Sequence, residues 1–363
     1  MVVNTPVIEK PRTAEELAGL LRQAAESGSA VVPVGGGKSS RMGGMPLRSD
    51  VELHTTRLNR VLEHSQADMV VSVEAGITLE ALQEELGKAG QFLPLDPFNS
   101  PGHTIGGLLA TGWTGPLRQR FGSARDYLIG IRVAQTDGHL ASAGGRVVKN
   151  VSGYDLMKLH YGAMGSLGVI VAASFRVFPR PLADVTLETA SGSMAEAWTA
   201  AEQALSMPLA PTALELFSDG HLVVRICGSP DAVKRMVAEL AWQEADASVW
   251  AEHSRTGPES WARISVPRHG LQDILASLPD KAQWWASPGI GIANWSFENP
   301  DDVVRVRHAV EKAHGSLVLM SAPADVSKRI GAWGTPPETI GVMRRLKNAF
   351  DPNGILNPGR FVV

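Results

Sequence analysis

The sequence predicts an α+β fold that is divided into about two domains. Short apolar strands bounded by glycine or proline alternate with amphipathic helices along most of the 363 residues, which is typical of sheets covered by helices. This length exceeds what one hydrophobic core usually covers. Because Pro179 and Pro181 end a predicted strand, we expect one domain over residues 1–181, a second over 182–333 and a C-terminal segment over 334–363.

Composition and charge exclude several classes of protein. The chain is 44% hydrophobic with a net charge of −3, and its acids and bases are interspersed, so no basic surface for nucleic acid is predicted. Its first residues lack the pattern of a signal peptide, and no apolar run approaches the roughly 18 residues that span a bilayer. The single cysteine, Cys227, excludes an internal disulfide framework and a cysteine-built metal site. We therefore expect a cytoplasmic protein that does not itself span a membrane.

The first domain begins with a helix and continues through strands. Thr13 and Glu16 have the spacing of a capping box, and Gly28 is a plausible end for the helix that follows. Further along, the patterns predict a strand over 30–34, a strand over 70–74, a helix over 79–90, a hairpin over 129–142 and a strand over 165–178.

The second domain is predicted to be a single sheet covered by helices. A hairpin is predicted over 213–226, and Ser229 followed by Pro230 marks the start of a helix. The remaining patterns predict strands over 264–266, 290–295 and 317–320 and a helix over 301–313. A last helix is predicted before a turn over 351–354, and its apolar side carries Ile340, Met343, Leu346 and Phe350.

A glycine-rich loop follows the first buried strand at residues 35–40. Glycines there let backbone amides converge on a phosphate, because no Cβ blocks the approach. A P-loop would need a glycine where Val32 stands, and a dinucleotide fingerprint would need one at Ser40 with a helix directly after it, which Pro46 forbids. The sequence leaves two interpretations, a pyrophosphate-binding loop of another fold or a glycine-rich turn.

Residues 94–122 are crowded with glycine, proline and threonine and lack a useful amphipathic period, so we expect an irregular segment. Its many backbone and hydroxyl donors suit an extended anionic ligand, and Arg118, Arg120 and Arg125 add positive charge nearby. The alternative is a surface loop with exposed arginines.

Seven motifs occur in a specific order and spacing, at residues 33–37, 94–97, 104–107, 120–126, 149–156, 162–170 and 350–360. The first six resemble the FAD domain of the vanillyl-alcohol-oxidase, or PCMH-type, family. The C-terminal motif is similar to the ending of flavin-linked 2-hydroxyacid dehydrogenases, and the short chain most resembles FAD-binding subunits of bacterial glycolate oxidases. The resemblance implies two α/β subdomains that hold FAD, an antiparallel cap sheet, and a C-terminal segment that returns to the FAD domain.

The resemblance also implies which residues contact FAD. The pyrophosphate would be held by Val34, Gly35, Gly36, Gly37, Lys38, Ser39 and Ser40. The wall towards the ribityl chain and the ring would include Pro94, Asp96, Thr104, Ile105, Gly106, Gly107, Thr111, Gly112 and Gly115. The adenine side would include Gly165, Gly168, Val169 and Ile170. Further contacts are expected from Gly122, Asp126, Asn150 and Asn357, and the cation at the flavin N1–C2=O edge from Lys149, Arg120 or Arg360.

The resemblance further implies that FAD is bound non-covalently. Relatives that attach FAD covalently use a histidine in the first loop or a cysteine in the second. Here the first loop carries Lys38, and the second carries no cysteine.

The substrate residues of the active dehydrogenases are missing. Those relatives carry a His-x-His pair and a later acid that bind a divalent metal, and no His-x-His occurs in this chain, so no metal is expected. Oxidation of a 2-hydroxy acid needs a base for the hydroxyl and a cation for the carboxylate. Tyr154 and His160 are conceivable bases, and Arg225 and Arg263 are cations on predicted strands, but structural roles explain each equally well and no catalytic residue is assigned.

Three functional hypotheses follow from the resemblance. The first is an FAD-binding subunit of a multi-subunit glycolate dehydrogenase, which works with a larger FAD-linked subunit and an iron–sulfur subunit. Any attachment to the inner membrane would be peripheral and would depend on these partners. Its flavin would relay electrons or stabilise the structure and assembly. The second is a stand-alone FAD oxidase or dehydrogenase of a small hydroxyl substrate. The third is a non-enzymatic interaction subunit with a vestigial flavin pocket.

Overall fold

The computed structural model of the chain describes residues 5–98, 101–145, 155–250 and 259–363. Its strands form sheets of three, two, five and eight strands, and helices pack on the larger ones. This arrangement confirms the predicted α+β class. No helix within the described ranges is both long and apolar enough to cross a lipid bilayer.

The N-terminal part begins with a small parallel sheet covered by a long helix. Thr13 Oγ1 accepts a hydrogen bond from the amide of Glu16, as the capping pattern predicts, and the Glu16 side chain accepts one from the amide of Arg12. The sheet has the strand order β1-β3-β2, and its elements are β1 (Val7–Glu9), α1 (Ala14–Ser27), β2 (Val31–Val34) and β3 (Val51–His54).

A five-stranded antiparallel sheet follows, with the strand order β4-β5-β9-β7-β8. A two-stranded sheet of β6 and β10 lies beside it. The strands are β4 (Val61–Ser65), β5 (Val70–Glu74), β6 (Gln91–Phe92), β7 (Leu128–Ala134), β8 (Leu140–Gly144), β9 (Val169–Arg176) and β10 (Phe178–Pro179). The helices are α2 (Leu79–Gly87), α3 (Ile105–Thr111), α4 (Arg118–Phe121), α5 (Ala124–Tyr127) and α6 (Met157–His160).

The expectation that residues 94–122 are irregular was wrong in part, because α3 and α4 lie within this segment. Helix α3 begins after Thr104, whose side chain accepts a hydrogen bond from the amide of Gly107. The helix buries Ile105 and packs on strand β9. It has seven residues, and two of them are glycines, so it is too short for its periodicity to be detected in the sequence.

The second region is an eight-stranded antiparallel sheet, here called the cap sheet, with the strand order β14-β11-β13-β12-β16-β17-β15-β18. Its strands are β11 (Ala183–Ala190), β12 (Ala213–Phe217), β13 (His221–Gly228), β14 (Gln243–Ala245), β15 (Trp261–Ser265), β16 (Gln283–Ser287), β17 (Ile292–Ser296) and β18 (Ser316–Ser321). The helices in this region are α7 (Met194–Leu205), α8 (Pro230–Leu240), α9 (Leu271–Ala276), α10 (Pro300–Lys312) and α11 (Ala324–Ile330).

The two faces of the cap sheet differ in chemistry. One face is apolar and forms a hydrophobic core with the helices of this region. The other face packs towards the N-terminal part and carries polar side chains at neighbouring positions of its middle strands. Register places Trp285 beside Asn294 and Asn294 beside Arg263, while Glu215 and Arg225 stand on the adjoining β12 and β13. We call the boundary between this face and the N-terminal part the seam.

The last residues return to the N-terminal part, as predicted. After α12 (Ile340–Phe350), the tail runs beside β2, where Asn357 donates a backbone hydrogen bond to Val31 and Val31 donates one to Ile355. Ile355 and Leu356 are completely buried there. The predicted boundary at residue 181 lies between β10 and β11, and the domain limits stay a prediction.

Candidate functional site

A cavity of about 420 Å³ lies between the loop after β2, helix α3 and the C-terminal tail. This volume falls within the range of small-molecule sites, roughly 300–1,000 Å³. Among the residues predicted from sequence, those that line the cavity are Val34, Gly35, Gly36, Gly37, Lys38, Ser39, Ser40, Thr104, Gly107, Thr111, Gly165, Asn357 and Arg360.

The glycine loop forms one wall because its backbone lies against the segment before α3. A Cβ on Gly36 would overlap the carbonyl oxygen of Gly102, so no larger residue fits there without movement. Gly37 has a φ of +71°, in the left-handed region that favours glycine. Within the described part of the chain, the amides of Gly36, Gly37 and Lys38 donate no hydrogen bond. The loop therefore presents free N–H groups beside the cavity.

Helix α3 supplies the opposite wall with small residues. Gly107, Ala110 and Thr111 line the cavity, and the Thr111 hydroxyl is held by a 2.8 Å hydrogen bond to the carbonyl of Gly107. Their small size leaves room along this wall for a ligand.

The tail adds two polar side chains that keep unused hydrogen-bonding atoms. Asn357 Nδ2 donates to the carbonyl of Met164 at 2.6 Å, while its Oδ1 is buried without a partner. Arg360 donates to the carbonyl of Ser39, while its Nε is buried without a partner. Burial lowers the pKa of Arg360 to about 10, so the guanidinium stays positively charged at neutral pH.

The cavity suits a ligand with an anionic centre. Two cations, Lys38 and Arg360, line the cavity, and Glu52 is the one carboxylate among the described lining residues. The free amides of the loop can bind phosphate oxygens. No cluster of three or more metal-binding side chains occurs in the described ranges.

A second group of predicted residues does not line this cavity and has structural roles in the N-terminal part. Ile105, Val169 and Ile170 are buried in the hydrophobic cores. The others make turns, caps or backbone contacts there, and they are Pro94, Gly106, Gly112, Gly115, Gly122, Asp126 and Gly168. Lys149, Asn150 and Tyr154 lie outside the described residues.

Asp96 and Arg120 lie away from this cavity, at a cleft of about 650 Å³ along the seam. Asp96 Oδ2 accepts a 2.9 Å hydrogen bond from the amide of Leu117. Desolvation raises the pKa of Asp96 to about 8, so this carboxyl binds a proton more readily than an ordinary aspartate.

Arg225 and Arg263, the two cations predicted on cap strands, differ in their partners. Arg225 forms a double hydrogen bond with Asp184, at 2.9 and 2.6 Å. Arg263 donates to the hydroxyl of Thr114 at 3.1 Å, and no carboxylate of the described residues lies within 4 Å of it. Burial lowers the pKa of Arg263 to about 10, and the group remains a cation at neutral pH.

Sequence reasoning missed Glu215, which stands on the polar face of the cap sheet. Its side chain is 3% exposed, and burial raises its pKa to about 7. The signal in the sequence was a single acid within the apolar strand Ala-Leu-Glu-Leu-Phe, residues 213–217. The conceivable base His160 is buried against Phe350, and desolvation lowers its pKa to about 4.

Comparisons with known proteins agree with this geometry. Residues 5–144 match a family model described as FAD binding domain, and residues 332–361 match one described as FAD linked oxidases, C-terminal domain. The chain is an FAD-dependent oxidoreductase whose N-terminal part is an FAD-binding domain of the PCMH type, as the motifs predicted.

Similar proteins include two glycolate oxidase subunits and a solved structure. The chain is 29% identical to the glycolate oxidase subunit GlcE of Escherichia coli (strain K12), over 83% of this chain and 84% of that protein. It is 25% identical to the glycolate oxidase subunit GlcD of Bacillus subtilis (strain 168), over 96% and 87%. A solved alkyldihydroxyacetonephosphate synthase has the same fold, with a TM-score of 0.72 and 19% identity over 99% of this chain and 78% of that one.

Proposed function

We propose that this chain is the FAD-binding subunit of a multi-subunit glycolate, or 2-hydroxyacid, dehydrogenase that produces glyoxylate. It would work beside a larger FAD-linked subunit and an iron–sulfur subunit, and its own flavin would relay electrons or hold the assembly together. The observation that carries the proposal is the similarity to a glycolate oxidase subunit along more than four-fifths of both chains. The missing His-x-His pair supports a main substrate site on another subunit.

We expect FAD to bind in the cavity between the glycine loop and the tail. The amides of Gly36, Gly37 and Lys38 would hold the pyrophosphate, because they make no hydrogen bond within the described residues and lie in a loop that lines the cavity. Asn357 and Arg360 would complete their unused hydrogen bonds on the cofactor. When bound, FAD supplies a two-electron acceptor, and non-covalent binding is expected since the first loop carries Lys38 and no histidine, and the second carries no cysteine.

A stand-alone dehydrogenase is the alternative, and one observation favours it. The seam of this chain carries both Arg263, a cation with no carboxylate partner, and Glu215, a nearly buried acid. A small 2-hydroxy acid needs a cation for its carboxylate and an acceptor for its hydroxyl proton. The vestigial-pocket hypothesis is less well supported, because the cavity keeps its volume and its free donors. For location we propose the cytoplasm, with peripheral attachment to the inner membrane through the complex.

The visible spectrum of the purified chain, before and after anaerobic addition of glycolate, tests these proposals. A yellow protein that releases its flavin on acid treatment, and that bleaches only with partner subunits present, supports the subunit assignment. Bleaching of the isolated chain by glycolate supports the stand-alone alternative. A colourless protein that does not take up added FAD would contradict both.

A further inference from the structure

A second, smaller cavity of about 60 Å³ lies in the seam, apart from the cavity at the glycine loop. Phe98 and Pro116 line it from the N-terminal part, and Glu215 and Trp285 line it from the cap sheet. Since about 10–15 Å³ is the least space that holds one water molecule, this cavity admits a few waters or one small molecule. It therefore limits a ligand to a few non-hydrogen atoms.

Glu215 contributes an unused acceptor to this cavity. One carboxyl oxygen, Oε1, accepts a hydrogen bond from the hydroxyl of Ser287 on the neighbouring strand β16. The other, Oε2, is buried and has no hydrogen-bond partner among the described residues. A buried polar atom without a hydrogen-bond partner destabilises the folded chain by about 1–3 kcal/mol. A ligand that donates a hydrogen bond to Oε2 removes this cost, which favours its binding.

Trp285 contributes an unused donor. Its Nε1 is buried and, within the part of the chain that the structure describes, has no hydrogen-bond partner. The indole ring is held by packing against Phe98 and Trp261, with ring centres 5.4 and 5.8 Å apart. An indole nitrogen can only donate, so it requires an acceptor in the cavity.

The other charged side chains around the cavity each have at least one partner. Two nitrogens of Arg225 are engaged by Asp184, and Asp96 accepts from the amide of Leu117. Glu215 and Trp285 supply one acceptor and one donor, which is the complement of a hydroxyl group, since a hydroxyl donates once and also accepts.

We propose that this cavity is a hydroxyl-binding subsite, in which Glu215 accepts a hydrogen bond from the hydroxyl of a small 2-hydroxy acid and the indole of Trp285 donates one to it. The ligand class rests on the reaction in the proposed function, the oxidation of a small 2-hydroxy acid, and the volume selects an acid of about glycolate size. The subsite would be additional to the main substrate site that we propose on another subunit. Two residues, His103 and Phe98, lie between the subsite and the FAD cavity. His103 lines that cavity and is hydrogen-bonded at 3.1 Å to the carbonyl of Phe98, whose ring packs on Trp285.

The surroundings of Glu215 give this carboxyl a pKa at which it changes its protonation state near neutral pH. Burial raises the pKa of Glu215 to about 7, while the Ser287 hydrogen bond and the charge of Arg263 oppose this rise. Asp96, near Arg225, also has a raised pKa, of about 8. As an acceptor of a hydroxyl proton, Glu215 is effective only as the carboxylate, so we expect glycolate binding to tighten as pH rises through 7.

Binding of glycolate compared with acetate, which lacks the hydroxyl, tests the proposal without turnover. Isothermal titration calorimetry is done on the full chain with FAD bound and chemically reduced beforehand, so that no oxidation follows binding. We expect the wild type to bind glycolate at least tenfold more tightly than acetate, because acetate leaves Glu215 Oε2 and Trp285 Nε1 without a hydrogen-bond partner. Trp285→Phe and Glu215→Leu should each reduce this preference to about twofold or less.

Glu244→Leu is the matched control, because it makes the same change at an exposed position of strand β14. It should keep the wild-type preference. Trp285→Phe retains an aromatic ring for packing, so it keeps the test valid if Glu215→Leu does not fold. Equal affinity of the wild type for glycolate and acetate, no binding of either, or an unchanged preference in folded variants overturns the subsite. A complex that fails to oxidise glycolate although the chain binds it with the expected preference would overturn the proposed function alone.

Discussion

Unpaired polar atoms identify the residues with which this chain can bind ligands. Asn357 Oδ1 and Arg360 Nε lie at the cofactor cavity, and Glu215 Oε2 and Trp285 Nε1 lie at the seam cavity, and none has a hydrogen-bond partner in the described part of the chain. Since buried polar groups are nearly always hydrogen-bonded in proteins, these four atoms can each accept or donate a hydrogen bond to a ligand or a water molecule in the cavity.

At the same scale, the protonation of Glu215 predicts how stability depends on pH. Its pKa is raised on folding from 4.5 to about 7, so the folded chain binds more protons between these values, and this residue's contribution to stability falls as pH rises through them. Glu215→Gln should abolish that fall, with a relative gain of about 2 kcal/mol at pH 7 over pH 5. Urea unfolding of both proteins at pH 5, 6 and 7 measures it. Parallel curves for the two proteins would show that Glu215 ionises normally.

Gly36 gives a second prediction at the residue scale. In Gly36→Ala the new Cβ would overlap the carbonyl of Gly102, so the loop must move and its amides no longer converge. We expect FAD affinity to fall at least tenfold, measured as flavin absorbance retained per protein after dialysis. Gly19→Ala is the control, because a Cβ there meets nothing within 4 Å and alanine favours the helix. Equal flavin retention by the two variants would exclude the loop from the site.

At the scale of elements, the tail after α12 is fixed by one lysine. Lys347 Nζ donates to the carbonyls of Ser166 and Leu356, at 2.8 Å each, and to Asp351 at 2.6 Å. Asp351 in turn accepts from the amides of Ile355 and Leu356. This network holds the end of the chain against β2, and it thereby places Asn357 and Arg360 at the cofactor cavity.

Lys347→Met is therefore expected to weaken both stability and cofactor binding. It leaves Asp351 as an unpaired buried charge, which should cost about 3 kcal/mol of unfolding free energy. FAD affinity should fall as well, because Asn357 and Arg360 lose their support. Chemical unfolding and flavin titration measure the two effects, with Lys312→Met at the end of α10 as the control. A stability loss with unchanged FAD affinity would show that the tail does not support the cofactor.

At the scale of the whole molecule, the seam and the tail join the two regions into one unit. Aromatic rings cross the seam, with Trp113 against Trp261 at 5.9 Å and Phe98 against Trp285 at 5.4 Å. Gln119 also donates to the carbonyl of Pro211 at 3.1 Å, across the same boundary. Because the contacts are apolar and numerous, we expect the regions to unfold together.

FAD should then stabilise the whole chain, although it binds at the N-terminal part. Free FAD at a hundredfold excess over its Kd adds about 2.7 kcal/mol to the folded state. Differential scanning calorimetry with and without FAD should show one transition that moves upwards as a whole. Two transitions, of which only one moves, would show that the cap sheet folds independently of the cofactor.

Local patterns made much of this fold predictable. The cap of α1, the β7–β8 hairpin and the start of α8 at Pro230 depend on backbone requirements of a few neighbouring residues. Strands β3 and β11 and helix α7 were not predicted, and α3 was too short and rich in glycine to be detected. The limits of the domains and the contacts with FAD stay predictions.

The sequence by itself determined that the chain has an α+β fold, a glycine loop after a buried strand and motifs of an FAD domain. These depend on local conformation, which residue types and their spacing reveal. Only the tertiary structure decided that Arg360 lies against Ser39, or that Glu215 and Trp285 share a cavity with Phe98. Such pairs are distant along the chain, and strand order and register, which no local pattern fixes, bring them together.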